Sequence, residues 1–168
     1  MKRDKTKSRI LTTLLVISLV HAAVLPAIAA DPVTITTTAL KEVESIDAQG
    51  NKTIERVPVG QVLPGDTTVF VNMVQNNTAK IITGVKVDNP IPANMIYIDG
   101  SASAKNAALT FSVDGGKSYD IPGKLFVIQP DGKPRQAGPE DFTDIRWTLL
   151  TPLAPQANQQ IEFQAIVK

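Results

Sequence analysis

Cysteine is absent from the 168 residues, and histidine occurs once, at His21. Without cysteine there is no disulfide framework, no thiolate metal site, no cysteine nucleophile and no lipid attachment at an N-terminal cysteine. With a single histidine as well, most catalytic dyads and zinc sites cannot be built. An excess of either charge is missing too. The chain has 17 basic and 16 acidic residues for a formal net charge of +1. That balance excludes the concentrated basic surface a nucleic acid requires, and it excludes an acidic tail. No G-x-S-x-G elbow, phosphate loop or dinucleotide fingerprint is present. The expectation is a protein that is not an enzyme and needs no cofactor or metal.

One long apolar run exists, and it lies at the start. Residues 1–9 carry five basic side chains and one acid, followed by a run from Ile10 to Leu25 interrupted only by Thr12, Thr13, Ser18 and His21. Pro26 then breaks the run before Ala27-Ile28-Ala29-Ala30, the small residues a signal peptidase accepts. A run of 16 residues is shorter than the roughly 20 a permanent membrane helix needs. Residues 1–30 therefore read as a secretory signal peptide cut after Ala29 or Ala30, which implies a periplasmic or extracellular protein. Nothing later in the chain is long and apolar enough to span a membrane. Removal of 1–30 leaves 138 residues with 12 basic and 15 acidic side chains, a net charge of −3, and no histidine. A chain of that size buries about two-thirds of its unfolded surface, enough for an independent core.

The remainder, 31–168, reads as one all-β domain. All 10 glycines and 11 of the 12 prolines fall after residue 30 and punctuate short alternating runs. Val33, Ile35 and Ala39 alternate with threonine, and Leu109, Phe111 and Val113 alternate before the hairpin signal Asp114-Gly115-Gly116. Ile145, Trp147 and Leu149 share one face, with Arg146 and Thr148 on the other; Ile161, Phe163, Ala165 and Val167 repeat the pattern. Further runs sit at 54–59, 67–75, 81–88, 95–101 and 124–128. About seven to nine strands without an amphipathic helix predict an immunoglobulin-like β-sandwich, with a small closed barrel as the competing architecture. Residues 101–108 read as a loop or single helical turn, and 129–142 as a long surface connection.

Several turns carry their own chemistry. Pro64-Gly65 suits the centre of a type II turn. Asn89-Pro90 ends a strand, because proline lacks the ladder amide. Trp147 reads as a core anchor, or else as a sugar-stacking platform. The acids Asp88, Asp99, Asp114, Asp131, Glu140, Asp141 and Asp144 form no regular calcium array.

Val62-Leu63-Pro64-Gly65-Asp66-Thr67, Val85-Lys86-Val87-Asp88-Asn89-Pro90-Ile91-Pro92, and Phe111-Ser112-Val113-Asp114-Gly115-Gly116 form a motif series with Asp144-Ile145-Arg146-Trp147-Thr148-Leu149 and Pro152-Leu153-Ala154-Pro155. This series resembles the bacterial conserved-repeat domain known as domain of unknown function eleven, over roughly residues 58–168. The resemblance implies an immunoglobulin-like fold of a kind usually repeated in long surface or exported proteins, here as a single copy. Gln156 departs from it, since the family often has glycine after the last proline. The family carries no assigned activity, so the resemblance hands over no catalytic residue.

Two functions remain. The favoured one is a non-enzymatic structural or interaction module of the cell envelope, binding an unidentified envelope or surface protein through loops or an edge strand. The alternative is a small carbohydrate- or ligand-binding domain using Trp147, Tyr97 or Tyr119 as its platform. A pilus-like subunit, with Val33–Leu40 complementing a neighbour, is a third and weaker reading.

Overall fold

The structure, a computed structural model, describes residues 31–103 and 105–168. The expected signal peptide at 1–30 lies outside the described residues. Strands dominate, joined by turns and two single-turn 3-10 segments. Among the described residues no helix is long and apolar enough to cross a membrane.

Among the described residues ten strands form, all paired antiparallel. They are β1 (Val33–Ile46), β2 (Lys52–Pro58), β3 (Thr67–Asn76), β4 (Lys86–Pro90) and β5 (Met95–Tyr97), then β6 (Ala107–Ser112), β7 (Phe126–Ile128), β8 (Pro134–Gln136), β9 (Asp144–Leu149) and β10 (Asn158–Val167). A five-stranded sheet has the order β2-β1-β3-β10-β5, a three-stranded sheet the order β4-β9-β6, and β7 pairs with β8. Both larger sheets feed one core. Val74 of β3 and Ile161, Phe163 and Ala165 of β10 meet Val87 of β4, Phe111 of β6 and Trp147 of β9.

Alternation explains which face each strand buries. On β10, Ile161, Phe163, Ala165 and Val167 are buried between the more exposed Glu162, Gln164 and Ile166. On β9, Ile145, Trp147 and Leu149 do the same. Aromatic rings join the layers: Tyr97 of β5 lies 5.1 Å from Phe111 of β6 between centroids, and Phe163 of β10 lies 6.1 Å from Trp147 of β9.

The expected strands shift where glycine and asparagine intervene. The run at 81–88 becomes a strand only from Lys86, because Gly84 takes a left-handed φ of +65° and Ile81 stays exposed. The run at 95–101 stops at Tyr97, and the chain turns at Gly100, where φ is +72°. Segment 129–142 is more than a surface connection. β8 folds back onto β7, a 3-10 turn spans Pro139–Asp141, and Ala137 and Phe142 enter the core. Arg135 clamps the segment by donating to both carboxylate oxygens of Asp141, at 2.5 and 2.7 Å. β4 runs through Asn89 and keeps Pro90 as its last residue, on an edge strand where a missing amide costs least.

Candidate functional site

The turns singled out in the sequence are built as tight local structures. At Leu63-Pro64-Gly65-Asp66 the Asp66 amide donates to the Leu63 carbonyl at 2.9 Å, and Gly65 has φ +92°. The Gly65 amide also donates to the Val167 carbonyl, while the Val167 amide donates to Asp66, so this turn fastens the end of β10. In the β6 hairpin loop, Gly115 and Gly116 both take left-handed φ. Asp114 is fully engaged there: Oδ1 accepts from Ser112 Oγ and from the Lys117 and Ser118 amides, and Oδ2 accepts from Ser118 Oγ at 2.6 Å. The Ser118 hydroxyl, then the Ser118 amide and Ser112, hold the Asp114 carboxyl well below the ordinary carboxylate range. A carboxylate whose lone pairs are committed to its own loop has little left for a cation. Among the described residues no three acids or histidines converge as metal ligands.

Of the three aromatic platform candidates, two are sealed. Trp147 has no exposed surface and Tyr97 is 3% exposed. Tyr97 uses its hydroxyl to accept the Ala102 amide. Tyr119 lies at the surface with the Arg146 guanidinium 3.7 Å from its ring centroid, and Arg146 in turn donates to both oxygens of Asp88 at 2.6 and 2.7 Å. Burial, then the nearby Asp88 and Asp144, pushes the Tyr119 hydroxyl pKa upward. This cluster occupies the solvent face of the small sheet with its charges already matched.

Buried asparagines are the polar feature that alternation did not signal. Asn89 on β4 donates to Asn72 Oδ1 on β3 at 2.7 Å, a hydrogen bond between the two sheets, and Thr37 Oγ1 donates to the same oxygen at 2.6 Å. Asn76 donates to the carbonyls of Lys80, Leu153 and Ala154 and accepts from the amide and hydroxyl of Thr78. These side chains stand at strand positions where pattern reading expects apolar residues; no local motif marks them.

The most accessible strand surface lies on β1 and β2. Residues 34–38 of β1 are all exposed, and Ile35, Ile46 and Ile54 are 46%, 74% and 68% exposed. Beyond Leu40 the β1–β2 pair extends as a ribbon to Asp47, where Asp47 carboxylate bonds to the Gln49 and Asn51 amides close the turn. Arg56 ties the ribbon back to the sheet. It donates to Glu42 at 3.1 Å and to both oxygens of Glu162 on β10 at 2.9 and 3.2 Å. The Glu162 contact, with Glu42, raises the Arg56 pKa against the opposing effect of burial. A shallow polar depression of about 500 Å³ lies against β10, lined by Ala102, Ser103, Lys105, Leu109, Gln160 and Glu162. Comparison with known proteins finds no matching family model, no similar curated protein and no similar solved structure.

Proposed function

We propose that the chain is a non-enzymatic, exported module of the cell envelope that acts by protein–protein contact along β1. The observation that carries this reading is the exposed and uncharged stretch Thr34–Thr38 of β1, in a sheet whose β3 and β10 are packed into the core. An edge of that kind offers main-chain hydrogen bonds to an incoming strand. The basic and apolar leader at 1–30, with its A-x-A end, supports export.

The architecture in this proposal is an immunoglobulin-like β-sandwich similar to the bacterial conserved-repeat domain. Two antiparallel sheets sharing one core support it. So does Gln156: its backbone has φ +58°, a conformation that glycine takes at least cost, at the position where that family often has glycine. The platform reading is the weaker one, because Trp147 and Tyr97 are enclosed and Tyr119 faces a guanidinium.

Photo-crosslinking in whole cells of the native host tests the contact surface. A photoreactive residue at Thr34 or Ile35 is expected to give a discrete adduct, whereas one at Thr148, on the small sheet, gives none. Absence of an adduct at every β1 position overturns the reading.

A further inference from the structure

Strand β1 has two edges with different fates. One edge pairs with β3 from Val33 to Leu40; the other pairs with β2 only from Leu40 onward. The Pro32 carbonyl accepts from Asn77 on the β3 side, and the Ala39 carbonyl accepts from Val59 on the β2 side. Along an antiparallel strand the amide and carbonyl of one residue point the same way, and those of its neighbour point the other way. Val33, Ile35 and Thr37 therefore send their main-chain donors and acceptors outward from the open edge. Among the described residues nothing pairs with them there.

Most of the other edges are protected; β6, the second edge of the small sheet, carries neither charge nor proline and among the described residues is bridged on its outer side at Phe111, to Asp120. β2 carries Lys52, Glu55 and Arg56 and ends in Pro58; β4 carries Lys86 and Asp88 and ends in Pro90; β5, β7 and β8 are three residues each. Charge, proline and shortness are the usual means of blunting an edge. Val33-Thr34-Ile35-Thr36-Thr37-Thr38 has none of them. All six residues are β-branched, which favours the extended chain.

We infer that this edge pairs with the same edge of a second copy of the chain, antiparallel about a twofold axis through Ile35. In that register Ile35 meets its counterpart, Val33 meets Thr37, and Thr34 meets Thr36. Every pair is uncharged, and the nearest charged residues along the strand, Asp31 and Lys41, fall outside it. Such β-branched and Thr–Thr pairs are favourable across strands. The slot ends where Val59 takes the Ala39 carbonyl, so it accepts a short strand, and a second copy presents a strand limited in the same way. Used reciprocally, this edge of β1 closes a dimer about the twofold axis. The inference rests on the reading of β1 as the contact surface and names its partner.

Sedimentation velocity of the protein isolated from the envelope fraction of cells expressing the full-length sequence tests it. The wild type is expected to dimerise in a concentration-dependent manner. Ile35→Lys sets two ammonium groups against each other at the axis and should weaken dimerisation by about tenfold or more. Ile35→Glu should do the same, and an equimolar mixture of the two variants should restore the dimer. Far-UV circular dichroism verifies folding; should the Ile35 variants not fold, Thr36→Lys and Thr36→Glu, whose like charges face each other on the diagonal across the axis, provide the comparison. A wild type that stays monomeric at about 100 μM, or an Ile35→Lys variant that dimerises normally, overturns the inference. If the wild type is monomeric while crosslinking from β1 yields an adduct with a different protein, self-pairing falls and the contact surface stands.

Discussion

Replacing Trp147 by alanine should remove a large share of the stability of the fold. The indole has no exposed surface, sits between Val87 of β4 and Leu109 of β6 in the ladder, and lies 6.1 Å from the Phe163 ring of the other sheet. Deleting a buried tryptophan costs about 3–5 kcal/mol, against a total of about 5–15 kcal/mol for an ordinary domain. The neighbouring Arg146 provides an internal comparison on the opposite face. Its bond to Asp88 is a part-exposed ion pair worth about 0–1 kcal/mol, and its contact with Tyr119 adds about 0.5–1 kcal/mol. Arg146→Ala should therefore cost about 0.5–2 kcal/mol, well below Trp147→Ala. Urea unfolding must be followed by far-UV circular dichroism, because Trp147 is the sole tryptophan and its fluorescence disappears with it. With a urea slope of about 1.5 kcal/mol per molar, the midpoint should fall by about 2 M or more for Trp147→Ala and by less than about 1.3 M for Arg146→Ala. A Trp147→Ala midpoint within about 0.3 M of the wild type would refute the packing argument, since that shift is worth under about 0.5 kcal/mol.

Asn76→Ala should cost about 1–2 kcal/mol, because the side chain's bonds to the Lys80, Leu153 and Ala154 carbonyls and to Thr78 are lost, while the Ile82 and Ala157 amides still donate to Leu153 and Ala154; the same urea titration measures it. Gln156→Gly should hold or raise stability by up to about 1 kcal/mol, and Gln156→Val should lower it by about 1 kcal/mol or more, because residue 156 sits at φ +58°. Thermal melts of the two variants rank them. The depressed pKa of Asp114 gives a signed pH dependence. Its stabilising contribution is complete above the unfolded-state value of about 4 and fades as pH falls from there toward the lower folded value. Asp114→Asn should thus be less stable than the wild type at pH 6, and the gap should narrow at pH 2.5; an unchanged gap would contradict the loop geometry.

Alternation made the core legible. Ile145, Trp147 and Leu149, and likewise Ile161, Phe163, Ala165 and Val167, are buried in the pattern that period two dictates. The Pro64-Gly65 turn was equally readable, since proline and glycine state their backbone angles locally. The asparagine bond between sheets was not, because Asn72 and Asn89 are brought together only by the fold. Residues 129–142 misled for a related reason: three prolines and two glycines read as a loop, whereas Phe142 and Ala137 reach the core and Arg135 finds Asp141. The alternating segment Val33–Leu40 was visible as a strand, but its unpaired side depends on where β2 ends, and no local pattern encodes that.

The intact mass of the protein recovered from the envelope or culture fluid of its native host tests the central claim most directly. Export with processing predicts a single species beginning at Ala30 or Asp31. A species retaining Met1 or Lys2 in that fraction, or a protein confined to the cytoplasm, would contradict it.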